Sequence, residues 1–224
     1  MATLGGSPSG GTFHSAITAF SRVRQTAQAH RERRAAEGQG DGGRRVSSVR
    51  PAPKREASLG AWALPMPSID PQIITRSARA LDRYGPDFSY GHYLAIKRLP
   101  VAVGLVGGVA SIFAAAQVPP ARRMLLGRLS PGDGPTPEQR EKGWFNLRFV
   151  GEGGGRRVVT EIAGGDPGYG ETSKMLAESA LCLAHDDLPA AAGQVTTAVA
   201  MGDALIERLR RTGITFEVLE ANDQ

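Results

Sequence analysis

Trp144-Phe-Asn-Leu-Arg-Phe-Val150, then Gly151-Glu-Gly-Gly-Gly155, then Val158-Val-Thr-Glu-Ile162 is the stretch that decides the fold. Phe145, Leu147 and Phe149 alternate with Asn146 and Arg148. That is the period of two that puts large residues on one face of a strand. The second run mirrors the first across a glycine-rich tip, so the stretch predicts a β-hairpin. The tip is not a dinucleotide fingerprint, because it joins two strands and lacks the third glycine at the required offset. No Gly-x-x-x-x-Gly-Lys-Ser/Thr occurs elsewhere in the chain.

Toward the C-terminus the hairpin runs into Ala163-Gly-Gly-Asp-Pro-Gly-Tyr-Gly-Glu-Thr172. A helix is expected over about 171–185, burying Met175, Leu176, Ala180, Leu183 and Ala184, with Glu171 at its positive end. Cys182 lies beside that face and reads as a small packed hydrophobe in a reducing compartment. The glycine loop has two readings. A loop that ends a strand and opens a helix offers backbone N–H groups to an anion or a ligand carbonyl; a tight connection also needs glycines for its turn. A last helix is expected over Thr197–Arg211, stopping at Gly213, followed by a strand over Ile214–Leu219.

Toward the N-terminus, Pro131-Gly-Asp-Gly-Pro135 reads as a linker. Before it, Val101–Val118 carries no charge, and only Ser111 and Gln117 are polar. Eighteen helical residues reach about 27 Å, just short of a ~30 Å hydrocarbon core. Lys97 and Arg98 flank one end and Arg122 and Arg123 the other. The run reads as a helix that is buried or touches a membrane, with a spanning helix as the rival. Gly104 and Gly108 form a small-xxx-small pair in it. Further back, a helix is expected over about 71–84 with Ile73, Ile74, Ala78 and Leu81 inward, ended by Tyr84-Gly-Pro-Asp87. Phe13, Ile17, Phe20, Val23 and Ala27 mark one face of a first helix, capped by Thr12 and preceded by a short strand.

The formal charge of +5 invites a nucleic-acid reading, but the charge is not evenly spread. Residues 1–60 hold ten Lys/Arg against four Asp/Glu, and the remainder holds 17 against 18. Residues 37–60 are rich in Gly, Pro, Ser and Arg and predict a mobile basic loop. Without interleaved aromatics or a helix-turn-helix or zinc-finger spacing, a nucleic-acid partner is not expected. One cysteine and four scattered histidines supply no metal-ligand set. Proton carriers near the glycine loops are His14, Asp166, Tyr169 and Lys174.

Four segments resemble one family. They are Ser9-Gly-Gly-Thr12; Gly143-Trp-Phe with Arg148-Phe-Val-Gly-Glu-Gly; Gly165-Asp-Pro-Gly-Tyr-Gly-Glu-Thr-Ser-Lys-Met-Leu176; and Ala200-Met-Gly-Asp-Ala-Leu-Ile-Glu-Arg-Leu209. Together they are similar to saccharopine dehydrogenase-like oxidoreductases, most closely the trans-acting enoyl reductase branch. The resemblance implies an NADP-linked reductase acting on a lipid-like enoyl or keto substrate. It also implies a nucleotide-binding Rossmann domain of roughly 150 residues, which this sequence lacks. The chain therefore reads as the substrate-binding half, from a truncated frame or a split subunit, inactive without that domain or chain. By the same resemblance Gly10, Gly11, Thr12, Asp166, Pro167, Gly168 and Tyr169 line the pocket facing the cofactor; no catalytic residue is implied.

The expected fold is α+β: a mixed, largely antiparallel sheet covered by helices. The expected parts are a glycine turn and amphipathic helix over 1–36, the basic loop over 37–60, and a substrate-binding domain over 61–224. The expected location is the cytoplasm, peripheral at the inner membrane face. A non-catalytic, membrane-associated lipid-binding module is the alternative function.

Overall fold

The hairpin forms as its alternation predicts. In the computed structural model, which describes residues 1–5, 10–23, 25, 27–29, 31–32, 43–50, 52–56, 59–66, 68–128 and 134–223, two strands pair antiparallel from Phe145↔Gly164 to Gly153↔Arg156. The strands run Trp144–Gly153 and Arg156–Gly164. The tip is tighter than expected, because Gly151–Gly153 stay paired and the turn falls on Gly154 and Gly155. Their φ values of +58° and +74° are what a two-residue hairpin turn of primed type requires, and glycine adopts them without strain.

In chain order the strands are β1 (Ala2–Gly5), β2 (Arg45–Ser48), β3 (Lys54–Glu56), β4 (Ala61–Pro65), β5 (Asp87–Tyr90), β6 (Tyr93–Ile96), the hairpin pair β7 and β8, and β9 (Thr215–Asp223). Seven of them form one sheet in the order β3-β4-β6-β1-β7-β8-β9. Only β1 and β6 run parallel within it. The fold is α+β with a mixed, mostly antiparallel sheet.

The helices with described bounds are α1 (Gly10–Ser21), α2 (Asp70–Ala80), α3 (Leu99–Gln117), α4 (Pro119–Leu126), α5 (Pro137–Glu141), α6 (Gly170–His185), α7 (Thr197–Ala200) and α8 (Gly202–Arg211), and residues 23, 25, 27–29 and 31–32 after α1 are also helical. The chain divides into two compact units. A sheet unit comprises Met1–Gly6, Gly43–Lys97 and Glu138–Gln224; a helical unit comprises Ser7–Gly42 and Arg98–Pro137. That division cuts across the boundary expected at residue 61.

In the sheet unit Phe145, Leu209 and Ile214 form the buried centre, and Leu147, Ile162, Met175, Leu205 and Phe216 pack against it. Helices α6 and α8 thus close one face of the hairpin and β9. Arg208 ties the two helices together. Its Nε and Nη2 meet the Asp186 carboxylate at 2.6 and 2.7 Å, and its Nη1 meets Glu178 at 3.1 Å. The Arg208 guanidinium pulls the Asp186 carboxyl down to about 2.

Several expectations are corrected. The loop expected over 37–60 contains β2 and β3; residues 37–42, 51, 57 and 58 lie outside the described residues. Composition underrates this segment because its order is tertiary: β2 pairs with β5 and buries Val46, and β3 pairs with β4. Arg44 also donates to the Leu81 carbonyl at 3.1 Å and the Gly85 carbonyl at 2.7 Å, closing the 3-10 turn Asp82–Tyr84. Helix α2 buries Thr75, Ser77 and Ala78, not Ile73; the Ser77 and Thr196 hydroxyls pair at 2.7 Å. Helix α6 buries Glu171 and Cys182, whereas Leu176 and Leu183 are 73% and 60% exposed. Thr12 is no cap, since α1 already begins at Gly10. The last helix breaks at Met201–Gly202, where Gly202 takes φ +49°.

In the helical unit α1 packs on α3 through the rings of Phe20 and Phe113, 5.6 Å apart and edge-on. Gln117 Nε2 donates to the Phe20 carbonyl at 2.7 Å. Helix α3 stops at Val118 because Pro119 forces its predecessor to extended geometry, observed as ψ 115°. The core-helix reading of this run is corrected, for only 11% of its 18-residue apolar window is buried. Ala102 and Ala116 are its buried residues, and nothing lies within 4 Å of a Cβ placed on Gly104 or Gly108.

Candidate functional site

The glycine loop between β8 and α6 carries the most specific sequence signal, and its geometry answers the choice between its two readings. Asp166 turns its carboxylate back onto the loop, where it accepts from the N–H groups of Gly168, Tyr169 and Gly170 at 3.1, 3.0 and 3.1 Å. The Glu171 N–H goes to the Asp166 carbonyl at 2.9 Å. The place where an anion sits at a helix N-terminus is thus filled by the chain's own carboxylate. Desolvation opposes charge on Asp166, yet the three N–H donors outweigh it and hold the carboxyl below the usual carboxylate range. The anion-holding reading is corrected: the loop is a self-capped strand–helix connection.

Its neighbours complete that connection. Thr172 Oγ1 donates to the Pro167 carbonyl at 2.5 Å and Ser173 Oγ to the Tyr169 carbonyl at 2.6 Å. Arg140 lies 5.6 Å from the centre of the Tyr169 ring. A Cβ on Gly143 would come within 3.0 Å of the Asp166 Cα and the Arg140 carbonyl, so the turn before β7 sits directly on the loop. Lys174 Nζ reaches Glu171 Oε1 at 2.9 Å, and the Gly165 N–H reaches the same oxygen at 3.3 Å. Glu171 is 7% exposed and its Oε2 has no hydrogen-bond partner.

The sequence candidates divide between the units. Asp166, Pro167, Gly168, Tyr169 and Lys174 come together in the sheet unit at this loop, while Gly10, Gly11, Thr12 and His14 lie on α1 in the helical unit. Ser9 lies outside the described residues.

The sheet unit also holds a group that periodicity did not single out. Tyr90 ends β5, and its hydroxyl lies 3.0 Å from His92 Nδ1. His92 Nε2 is buried, without a hydrogen bond, and 3.6 Å from Asp70 Oδ2 on α2. Burial pushes the His92 imidazole below its ordinary value of 6.5, despite the Asp70 charge acting the other way. Burial, with Asp70, pushes the Tyr90 hydroxyl up to about 12. At neutral pH a neutral imidazole therefore faces a protonated phenol. The carboxylate beside Nε2 favours the tautomer with its proton there, which leaves Nδ1 to accept from the Tyr90 O–H. Phenol, imidazole and carboxylate in that order can hold and pass one proton. The signal in the sequence was Tyr90-Gly91-His92 at a strand end, too short to stand out.

Among the described residues no group of three or more His, Cys, Asp or Glu could hold a metal ion.

No protein-family model matches the chain, and no solved structure matches it. A Mycobacterium tuberculosis protein named as a trans-acting enoyl reductase is 34% identical over 173 residues, 70% of this chain and 41% of its own length. A trans-acting enoyl reductase of Mycobacterium ulcerans is 32% identical over 155 residues, 64% of this chain and 37% of its own. A saccharopine dehydrogenase-like oxidoreductase of Bos taurus is 32% identical over 104 residues, 40% of this chain and 24% of its own. The chain thus spans at most about two fifths of the length of these relatives. Its similarity is to the saccharopine dehydrogenase-like oxidoreductases, and over 70% of its length to their trans-acting enoyl reductase branch.

Proposed function

We propose that this chain is the substrate-binding half of an NADP-linked reductase, presenting a lipid-like enoyl or keto group to NADPH held by a separate nucleotide-binding domain or chain. The similarity to trans-acting enoyl reductases over 70% of the chain carries this reading. The loop opening α6 does not fit NADP. The sheet is antiparallel except at β1–β6, and the N–H groups opening α6 are taken by Asp166. A dinucleotide needs a glycine turn that leaves such groups open to its pyrophosphate. No hydride step is therefore assigned to this chain.

What the chain supplies is position and a proton. Saturating a double bond places hydride on one carbon and a proton on the other, and the candidate proton source in the sheet unit is the Tyr90 hydroxyl, once its proton turns from His92 Nδ1 to the substrate.

The reading is tested by titrating the full chain separately with NADPH and with an acyl enoyl thioester, then assaying NADPH oxidation with a relative's nucleotide-binding domain supplied in trans. Thioester binding alone, followed by turnover only in the mixture, is expected. Stoichiometric NADPH binding by the chain by itself, or no thioester binding, contradicts it.

A further inference from the structure

The helical unit shows a surface whose chemistry the reductase reading does not use. Helix α3 exposes Val101, Val103, Leu105, Val106, Val109 and Phe113. At 100° per residue Val101 and Val103 lie about 160° apart around the axis. The uncovered surface is therefore apolar on nearly every side, not along one stripe. A helix that docks on a protein keeps a polar face, whereas one apolar all round belongs in a core or in hydrocarbon. A core is excluded by its 11% burial.

The charge flanking α3 in the sequence has one sign. From Phe88 to Gly132 the sequence holds Lys97, Arg98, Arg122, Arg123 and Arg128 and no carboxylate. These cations stand at both ends of α3 and on α4, which follows it after Val118. Apolar length bounded by cations at each end complements a bilayer bearing anionic headgroups.

Topology decides how such a helix enters. The chain leaves the seven-stranded sheet at Ile96 and rejoins it at Trp144. Between them α3 is the one described helix long and apolar enough to cross a membrane. A single crossing would strand the return segment, with Arg122, Arg123, Arg128 and Asp133, on the far side. Among the described residues no second helix is long and apolar enough to complete a return crossing.

We propose that α3, with α1 packed on it and α4 beside it, is a one-sided membrane anchor. In it α3 lies in the hydrocarbon of one leaflet and the flanking Lys and Arg side chains lie among anionic headgroups on the side of entry. This anchor does not depend on the reductase reading.

Flotation of the full chain tests it, with preformed vesicles of equal phosphatidylcholine and phosphatidylglycerol beside vesicles of phosphatidylcholine alone. The wild type is expected to float with the anionic vesicles and much less with the neutral ones. Val103→Glu combined with Val106→Glu alters exposed positions, so circular dichroism should stay unchanged. Two carboxylates placed in hydrocarbon should cut partitioning by about a hundredfold or more. Arg122→Glu with Arg123→Glu should cut it by about tenfold or more, and less in high salt. Trypsin added outside the vesicles should cut at both Lys97–Arg98 and Arg122–Arg123. Undiminished flotation of the Val103/Val106 variant, or equal flotation with both vesicles, overturns the proposal. So does protection of one flank only. A wild type that does not float but elutes as a dimer, with the variant a monomer, gives the surface to a second copy and also overturns it.

Discussion

Helices α3 and α6 are the two longest in the described structure and make opposite use of their apolar residues. Helix α3 has 19 residues with no charge between Val101 and Val118, yet buries only Ala102 and Ala116. Helix α6 is half polar, yet it joins the core through Met175, buries Cys182, and is tied to α8 by Asp186 and Glu178 meeting Arg208. Apolar content alone therefore does not tell which helix is core. What separates them is a neighbouring layer: α6 has the sheet and α8, while α3 has α1 along a minor part of its surface.

Removing core from the sheet unit should be the costliest change. Phe145→Ala is expected to lower stability by about 3–5 kcal/mol in denaturant melts, as other buried Phe truncations do. Val103→Glu on α3 should cost within about 0.5 kcal/mol in the same buffer, as exposed substitutions do. Equal losses would make α3 a core helix and end the contrast. Gly164→Ala comes next, because its Cβ would lie 2.6 Å from the Phe145 ring. A loss of about 1–3 kcal/mol is expected from such overpacking, checked by thermal melts.

Acid should then reveal the α6–α8 tie. Asp186 is held near 2 against an ordinary 3.8, so its contribution is full above 3.8 and is lost as pH falls toward 2. His92 works at a higher pH. Its folded value lies below 6.5, so it stays neutral when folded while the unfolded chain takes up a proton. Stability therefore falls as pH drops below about 6.5. Melts of wild type and Arg208→Gln between pH 7 and pH 2 should differ most above pH 4 and converge toward pH 2. Parallel curves would show that Arg208 does not set the acid limb. The smallest effect is expected on the outer side of α6, where Leu183→Gln should shift stability by less than about 0.5 kcal/mol. A larger loss would mean that this side is covered. On activity, Tyr90→Phe should slow turnover of the reconstituted reductase while leaving thioester binding intact.

Local pattern read the hairpin well, since Phe145, Leu147 and Phe149 alternate over paired strands and glycines mark the turn. The helical unit was half legible: the absence of charge over 101–118 fixed a helix, but its exposure depends on which elements pack nearby. Strands β2 and β3 were not legible, because Arg45–Ser48 and Lys54–Glu56 owe their order to distant partners. At the candidate site the glycine loop was found, with its two readings left open. Asp166 looked like a group free for chemistry because spacing does not show that three nearby N–H groups converge on it. Tyr90 and His92 were missed because their relation to Asp70 arises only when α2 packs beside β5.

Hydrogen exchange of the full chain, with and without anionic vesicles, tests the division of labour between the two units most directly. The account predicts new protection over Leu99–Leu126 on adding vesicles, with Trp144–Asp223 unchanged. Protection spread equally over both units, or none at Leu99–Leu126, would contradict it.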